Sequence, residues 1–176
     1  IPIMKYIYAS WFVLFCCYGT CIGQPVIEWQ KCFGGTWAED GTSIYETPDG
    51  GFVIAGEARS QDGDVSGVHA NAPFGTSQNP DFWIIKIDSL GNLQWQKCLG
   101  GTEFDEPSCI KATPDGGYIV GGYTLSNDGD VTGFHPGGWD FWLLKLDSYG
   151  NLEWQKCYGG SGSENLRDLL ITEDDG

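Results

Sequence analysis

The chain is short of positive charge and of the parts from which most catalytic and nucleic-acid-binding sites are built. Nine Lys and Arg stand against 24 Asp and Glu, a formal charge of −15. So acidic a surface repels phosphate backbones, and nucleic acid is not an expected partner. There are only two histidines, His69 and His135, and one methionine, Met4. The sequence shows no Cys-x-x-Cys pair and no Cys/His spacing suited to zinc. It also shows no nucleophile elbow, phosphate loop or Ser-His-Asp constellation. What is plentiful is glycine, 27 residues, together with 8 Trp, 8 Tyr and 9 Phe. That mixture favours strands and tight turns over helices, and the 41% of hydrophobic residues suffices for a core.

The first 23 residues differ in kind from the rest. Lys5 precedes the apolar run YIYASWFVLFCCYG, too short to span a bilayer, and a small-residue region TCIG follows. This pattern reads as a signal peptide, residues 1–23, cleaved after Gly23; a lipoprotein cut before Cys21 fits poorly beside Tyr18 and Thr20. No membrane span is expected once it is removed. The expected location is extracellular or the outer cell surface. Four cysteines then remain, Cys32, Cys98, Cys109 and Cys157. Three of them close the same tetrapeptide, WQKC, and equivalent positions in successive repeats sit too far apart for a bridge. Buried thiols are expected, with a Cys98–Cys109 disulfide as the alternative.

Two long segments align. EWQKCFGGTWAEDGTSIYETPDGGFVIAGEARSQDGDVSGVH…DFWIIKIDSLGNL is followed by QWQKCLGGTEFDEPSCIKATPDGGYIVGGYTLSNDGDVTGFH…DFWLLKLDSYGNL, and about half the aligned positions are identical. A third copy starts at Glu153. The units are a first repeat over 24–93, a second over 94–152 and a partial third over 153–176. The length difference between the full copies lies in one loop before DFW, which marks that loop as exposed. Each repeat reads as four strands. SIYET and FVIAGEA flank the turn TPDGG, and DFWIIKID and LQWQKCLG flank SLGN. FVIAG and FWIIKI are apolar on both pleat faces, as expected of strands held between neighbouring sheets. LQWQKC alternates, as an outer strand would.

The expected fold is therefore all-β: a partial β-propeller of four-stranded antiparallel blades, two full repeats plus the start of a third. A β-sandwich is the runner-up. SENLRDLL, from Ser163, has the leucine spacing of a capped helix, but the repeat places it on a first strand, and the repeat is preferred. Because propellers take at least four blades, the chain is expected to be a fragment whose partners include C-terminal blades of the same chain.

The motifs WQKCxGG, TPDGGY, S-N-D-G-D-V-[ST]-G-x-H, DFWxxKxD and SxGNLxW taken together resemble the tandem propeller-like repeats of proteins secreted by Bacteroidetes bacteria. Many of those proteins end in a sorting domain for type IX secretion. The resemblance covers residues 28–176 and implies export to the cell surface or medium. It lends no catalytic residue.

The recurring Asp-Gly-Asp, at Asp62 and Asp64 and again at Asp128 and Asp130, admits three readings. As a metal site, these four aspartates with Ser66 or Thr132 imitate half of a calcium loop, although no closing glutamate follows and Asp81 or Asp140 would have to complete it. As structure, they are Asx-turns capping backbone N–H groups, with Gly63 and Gly129 left-handed; this is the default. As catalysis, they pair with His69 or His135, which ranks last because every member of the set occurs in both repeats.

The functional expectation is a non-catalytic, secreted or cell-surface binding or scaffold module of a bacterium. One alternative is a calcium-dependent glycan-binding adhesin, its partner a surface glycan or protein, with Phe82, Trp83, Phe141, Trp142 and Trp139 as a stacking platform. For the Phe-Trp pairs, packing between blades is the preferred explanation. Trp37 and Trp139, which have no counterpart in the other full repeat, are the better candidates for exposed contacts. A hydrolase using a propeller funnel is the last alternative.

Overall fold

The computed structural model describes residues 26–69, 71–73 and 78–172. The expected signal peptide lies outside the described residues. Eight strands follow one another without a helix among the described residues: β1 Glu39–Glu46, β2 Phe52–Ala58, β3 Asp81–Ile87, β4 Leu93–Leu99, β5 Asp105–Ala112, β6 Tyr118–Thr124, β7 Asp140–Leu146 and β8 Leu152–Tyr158. They form two four-stranded sheets, ordered β1-β2-β3-β4 and β5-β6-β7-β8, with every neighbouring pair antiparallel. The fold is all-β, one four-stranded blade per repeat.

The turns behave as their residues dictate. In TPDGG the first glycine carries the positive φ, 76° at Gly50 and 84° at Gly116. The second is glycine for a different reason: a Cβ on Gly51 would stand 2.2 Å from the Ile87 carbonyl. Asp49 accepts from Gly51 N at 3.1 Å, which locks the turn. In the β3–β4 hairpin, Asp88 Oδ1 accepts from Leu90 N at 2.9 Å and Asn92 N at 2.8 Å, and Gly91 takes φ 76°.

β1 begins four residues earlier than SIYET suggested. It carries an irregularity between Gly41 and Ser43 that the alternation pattern does not reveal, and β5 repeats it between Pro107 and Cys109.

The blades stack face to face. Val53, Ala55, Phe82, Ile84 and Leu99 of the first pack against Ile110, Tyr118, Val120, Trp142, Leu144 and Leu146 of the second in one buried cluster. The Phe82 and Trp142 rings meet edge to face with centroids 4.8 Å apart, and β5 lies across β1, its Ile110 N donating to Ser43 Oγ at 3.3 Å. The opposite face of the first blade, with Trp83, Ile85 and Cys98, is covered by Trp29 and Phe33 of the preceding segment. One ring of each Phe-Trp pair thus turns to each face, as strand alternation requires. β3 is buried along its whole length, and β4 is an edge strand whose Gln96 accepts from Trp83 Nε1 at 2.9 Å.

Trp29 and Trp95 have equivalent surroundings. Trp29 lies near Phe52 and over Gly91; Trp95 lies near Tyr118 and over Gly150. Trp154, their third copy, is 43% exposed.

Three details differ from expectation, and one alternative is excluded. Residues 163–170 form neither helix nor paired strand; they lie over β6, with Leu166 and Leu169 against Gly121 and Asp168 3.1 Å from Lys111. Their equivalent, β5, becomes a strand by pairing with the strand that follows it, and no described residue follows Thr172. The four cysteines are free thiols. Cys98 and Cys109 are buried but sit on opposite sides of the two-blade stack, Cys98 beside Trp83 on the outer face of the first blade and Cys109 near Asp168 behind the second, which rules out the alternative disulfide. Cys32 is exposed, contrary to expectation, because residues 26–37 lie on the sheet without joining it. Trp139, expected to be exposed, is half-buried, with its ring edge to face against Tyr123 and Phe104 at 5.0 and 6.3 Å. Trp37 is 41% exposed.

Candidate functional site

The Asp-Gly-Asp loops follow the second strand of each blade and fold back onto the Gly-Gly-Thr that leads into the first. Asp128 Oδ1 accepts from Thr102 N and Oδ2 from Thr102 Oγ1, both at 2.8 Å. Asp130 Oδ2 accepts from Gly100 N at 3.2 Å, while its own N–H donates to Gly100 O at 2.8 Å. The first repeat has the same bonds. Asp62 takes Thr36 N at 2.7 Å together with the Thr36 hydroxyl, Asp64 takes Gly34 N at 3.2 Å, and Asp64 N donates to Gly34 O at 3.0 Å. The intervening Gly63 and Gly129 have φ of 68° and 64°, the left-handed conformation expected. A Cβ on either would come within 2.3 Å of the glycine carbonyl it faces. Each loop is thus a clasp closing the entry to its blade. The bonds to Thr36 and Thr102 hold the Asp62 and Asp128 carboxyls below the ordinary aspartate range.

The four aspartates predicted as metal ligands are therefore brought together in pairs, and each pair is turned toward N–H and O–H donors. Among the described residues no three His, Cys, Asp or Glu side chains are grouped so as to hold a metal ion. Asp81 and Asp140, the proposed completing ligands, lie elsewhere and hold the histidines. Asp81 Oδ2 accepts from His69 N at 2.9 Å and lies 2.7 Å from its Nδ1; Asp140 does the same for His135 at 2.7 and 2.9 Å. His69 also reaches across the blades, its Nε2 3.7 Å from Asp130.

These histidines anchor the long loop to the start of the third strand. The bond to Asp81 raises the His69 pKa, favouring the imidazolium. Burial raises the Asp81 carboxyl, the histidine offsetting part of that.

A second layer of acids was missed by motif reading. Glu39, Asp105 and Glu164 occupy one position in the three copies, and each accepts a hydrogen bond from the second glycine of its Gly-Gly pair, at 3.0, 2.7 and 3.4 Å. Asp105 is fully buried and also takes the hydroxyls of Thr124 and Ser126. Burial pushes its pKa up to about 7. The sequence signal was present, an acid four residues after each Gly-Gly, but Glu and Asp alternate there and hide it. Asp81 Oδ1 and Asp140 Oδ1 are buried without a hydrogen-bond partner; they point at the Cα of Gly100 and Gly159, where a Cβ would lie 3.0 and 2.0 Å away. A Cβ on the first glycine of the pair would come closest to Glu39 Oε2 at Gly34, 2.6 Å, to Asp105 Oδ2 at Gly100, 2.6 Å, and to Asp140 Oδ1 at Gly159, 2.0 Å, so a carboxylate excludes a side chain in each copy.

The proposed aromatic platform is not a surface. Phe82 and Trp142 are wholly buried between the blades, Trp83 is 6% exposed, and Phe141 is half-buried. What the surface does offer is a groove between the blades, bounded by the Thr47–Gly51 turn, Trp95 and the β7–β8 hairpin.

No family model matches this chain. It is 27% identical over 148 residues to the regulatory protein FlaEY of Caulobacter vibrioides, a match that covers 81% of this chain and 15% of that protein. The chain therefore spans a small part of the length of the curated relative it matches.

Proposed function

We propose that the chain is part of a β-propeller that serves as a non-catalytic binding or scaffold module, exported to the surface or surroundings of a bacterium. The observation that carries this reading is the sameness of the two repeats. The aspartates and both histidines make equivalent bonds in each, mainly to local backbone, and an active site would need at least one place where such groups differ. The likeness to a segment of a much longer regulatory protein fits a module that acts by contact. The signal-peptide pattern of residues 1–23 supports export.

The propeller is supported by the surface behind the second blade. Ile119, Leu143 and Trp154 line a cleft of about 400 Å³ there, with Leu169 and Ile171 along it. Their first-repeat equivalents Val53, Ile84 and Trp95 pack against the second blade. A third blade, with residues 163–172 as its first strand, would complete the same contact.

The test is to replace residues 173–176 with a second copy of residues 114–158, so that the third repeat is filled in register. A completed blade buries Trp154, shifts tryptophan emission to the blue and raises Tm. Unchanged emission and an unchanged or lower Tm would refute the propeller reading.

A further inference from the structure

Tandem copies supply their own comparison. Side chains that build a blade recur at equivalent positions, so departures from the repeat that gather in one place call for a different cause. Three gather in the groove between the blades, a space of about 460 Å³. Tyr118 stands where the first repeat has Phe52, Tyr149 where it has Leu90, and Gln94 where the first and third copies have Glu28 and Glu153. Each departure puts a neutral group there that both donates and accepts hydrogen bonds.

Among the described residues these groups have no hydrogen-bond partner for their side chains. Tyr118 is 4% exposed, yet its hydroxyl makes no hydrogen bond among the described residues. Tyr149 is 73% exposed and, among the described residues, is held through its backbone alone, N–H to Asp147 Oδ1 at 2.8 Å. The Gln94 amide is likewise unengaged among the described residues. Between them Trp95 supplies an apolar wall, braced by Gly150 and tilted against the Tyr118 ring at 6.0 Å.

The rim carries Asp49. Its carboxylate is fixed by Lys86 at 2.9 Å and by the Thr47 hydroxyl, and more than half of the side chain faces solvent. Lys86 also donates to Ile87 O at 3.1 Å, so its ammonium is not free for an anionic ligand.

We propose that this inter-blade groove binds a neutral saccharide. Trp95 lies against the apolar face of a sugar ring, Tyr118, Tyr149 and Gln94 bond its hydroxyls, and Asp49 accepts from a neighbouring pair. Hydroxyl-rich ligands match this set because they, too, donate and accept at every polar atom. A phosphate, sulfate or carboxylate does not match it, since among the described residues lining the groove the one cation, Lys86, is engaged, and the whole chain is strongly negative. The inference rests on the reading of the chain as a non-catalytic binding module.

The test is calorimetric titration of the full chain with a panel of neutral mono- and disaccharides (glucose, galactose, mannose, N-acetylglucosamine, maltose, cellobiose, lactose), and chromatography of each mixture afterwards. At least one sugar is expected to bind with Kd of roughly 0.1–10 mM, the range open to a small ligand in a shallow groove. Tyr118→Phe, Tyr149→Leu and Gln94→Glu each restore the residue that another copy carries, so Tm should hold while binding weakens about two- to tenfold per variant. Absence of binding across the panel, binding that all three variants leave intact, or preference for sulfated over neutral sugars would overturn the proposal. Cleaved disaccharide in the chromatogram would overturn the non-catalytic reading separately, and the three variants would still decide whether the groove holds the sugar.

Discussion

Phe82 and Phe141 form a matched pair on which the contribution of blade stacking can be measured. Both open the same Phe-Trp dipeptide on the third strand of a blade, and both turn to the same face. Phe82 is wholly buried, its ring 4.8 Å from Trp142 and laid over Gly122, where a Cβ would meet it at 2.7 Å. Phe141 is half-buried, on the face of the second blade where Leu166 and Leu169 reach Gly121. Truncating a buried Phe to Ala costs about 3–5 kcal/mol in lost transfer energy and residual cavity. Truncating a half-buried one should cost roughly half of that, since the hydrophobic term follows the area removed from water. For a chain of this size about 1 kcal/mol moves Tm by roughly 2–4 °C. Phe82→Ala is therefore expected to lower Tm by about 6–20 °C and Phe141→Ala by about half as much, read by circular dichroism and confirmed by urea titration. Equal losses would mean that each blade is stable by itself and that stacking contributes little, which would refute the reasoning.

Replacing Asp128 by Ala removes the cap on Thr102 and should destabilise the chain by about 1–3 kcal/mol, with Asn recovering part of it; the same variant should melt identically with millimolar calcium and with chelator, and a calcium-dependent shift in the parent chain would restore the metal reading. Asp105 and His69 are both raised in the folded state, so their contributions are complete below their unfolded values of 3.8 and 6.5 and are lost as pH rises through the folded ones, about 7 for Asp105. Stability should accordingly decline between about pH 4 and 7 in chemical denaturation, and Asp105→Asn should flatten the decline there; an unaltered slope would contradict the assignment. Cys32, exposed, should react at once with a thiol reagent, whereas Cys98 and Cys109, whose thiols burial pushes up, should react only on unfolding.

Architecture was legible in the sequence wherever it is written twice. The four strands per repeat, the positive-φ turn glycines and the division of Phe-Trp between faces follow from alternation and turn chemistry that both copies spell out. The start of β1 was not legible, because Glu39–Thr42 carries no large apolar side chain, Asp40, Gly41 and Thr42 are exposed, and the pairing is interrupted after Gly41. Trp139 misled for a related reason. Its uniqueness suggests exposure, whereas Tyr123 and Phe104, neither shared with the first repeat, form the niche that accepts it. The Asp-Gly-Asp motif could be located but not assigned, since local spacing is the same for a turn and for a cation loop. Only the partners Gly100 and Thr102, 26 to 30 residues away, decide where the carboxylates point. The groove residues are not legible in the repeat because they are the positions at which the copies differ.

The arrangement on which the fold rests is two separate sheets joined through the faces bearing Phe82 and Trp142. It is tested most directly by nuclear Overhauser contacts between those two rings in the full chain, whose centroids lie 4.8 Å apart. Strong cross-peaks between them, with Trp83 showing contacts to Cys98 and Val68 and none to the second repeat, are the predicted result. Trp142 in contact with Trp83 or with its own blade alone would contradict the stacking and the functional account built on it.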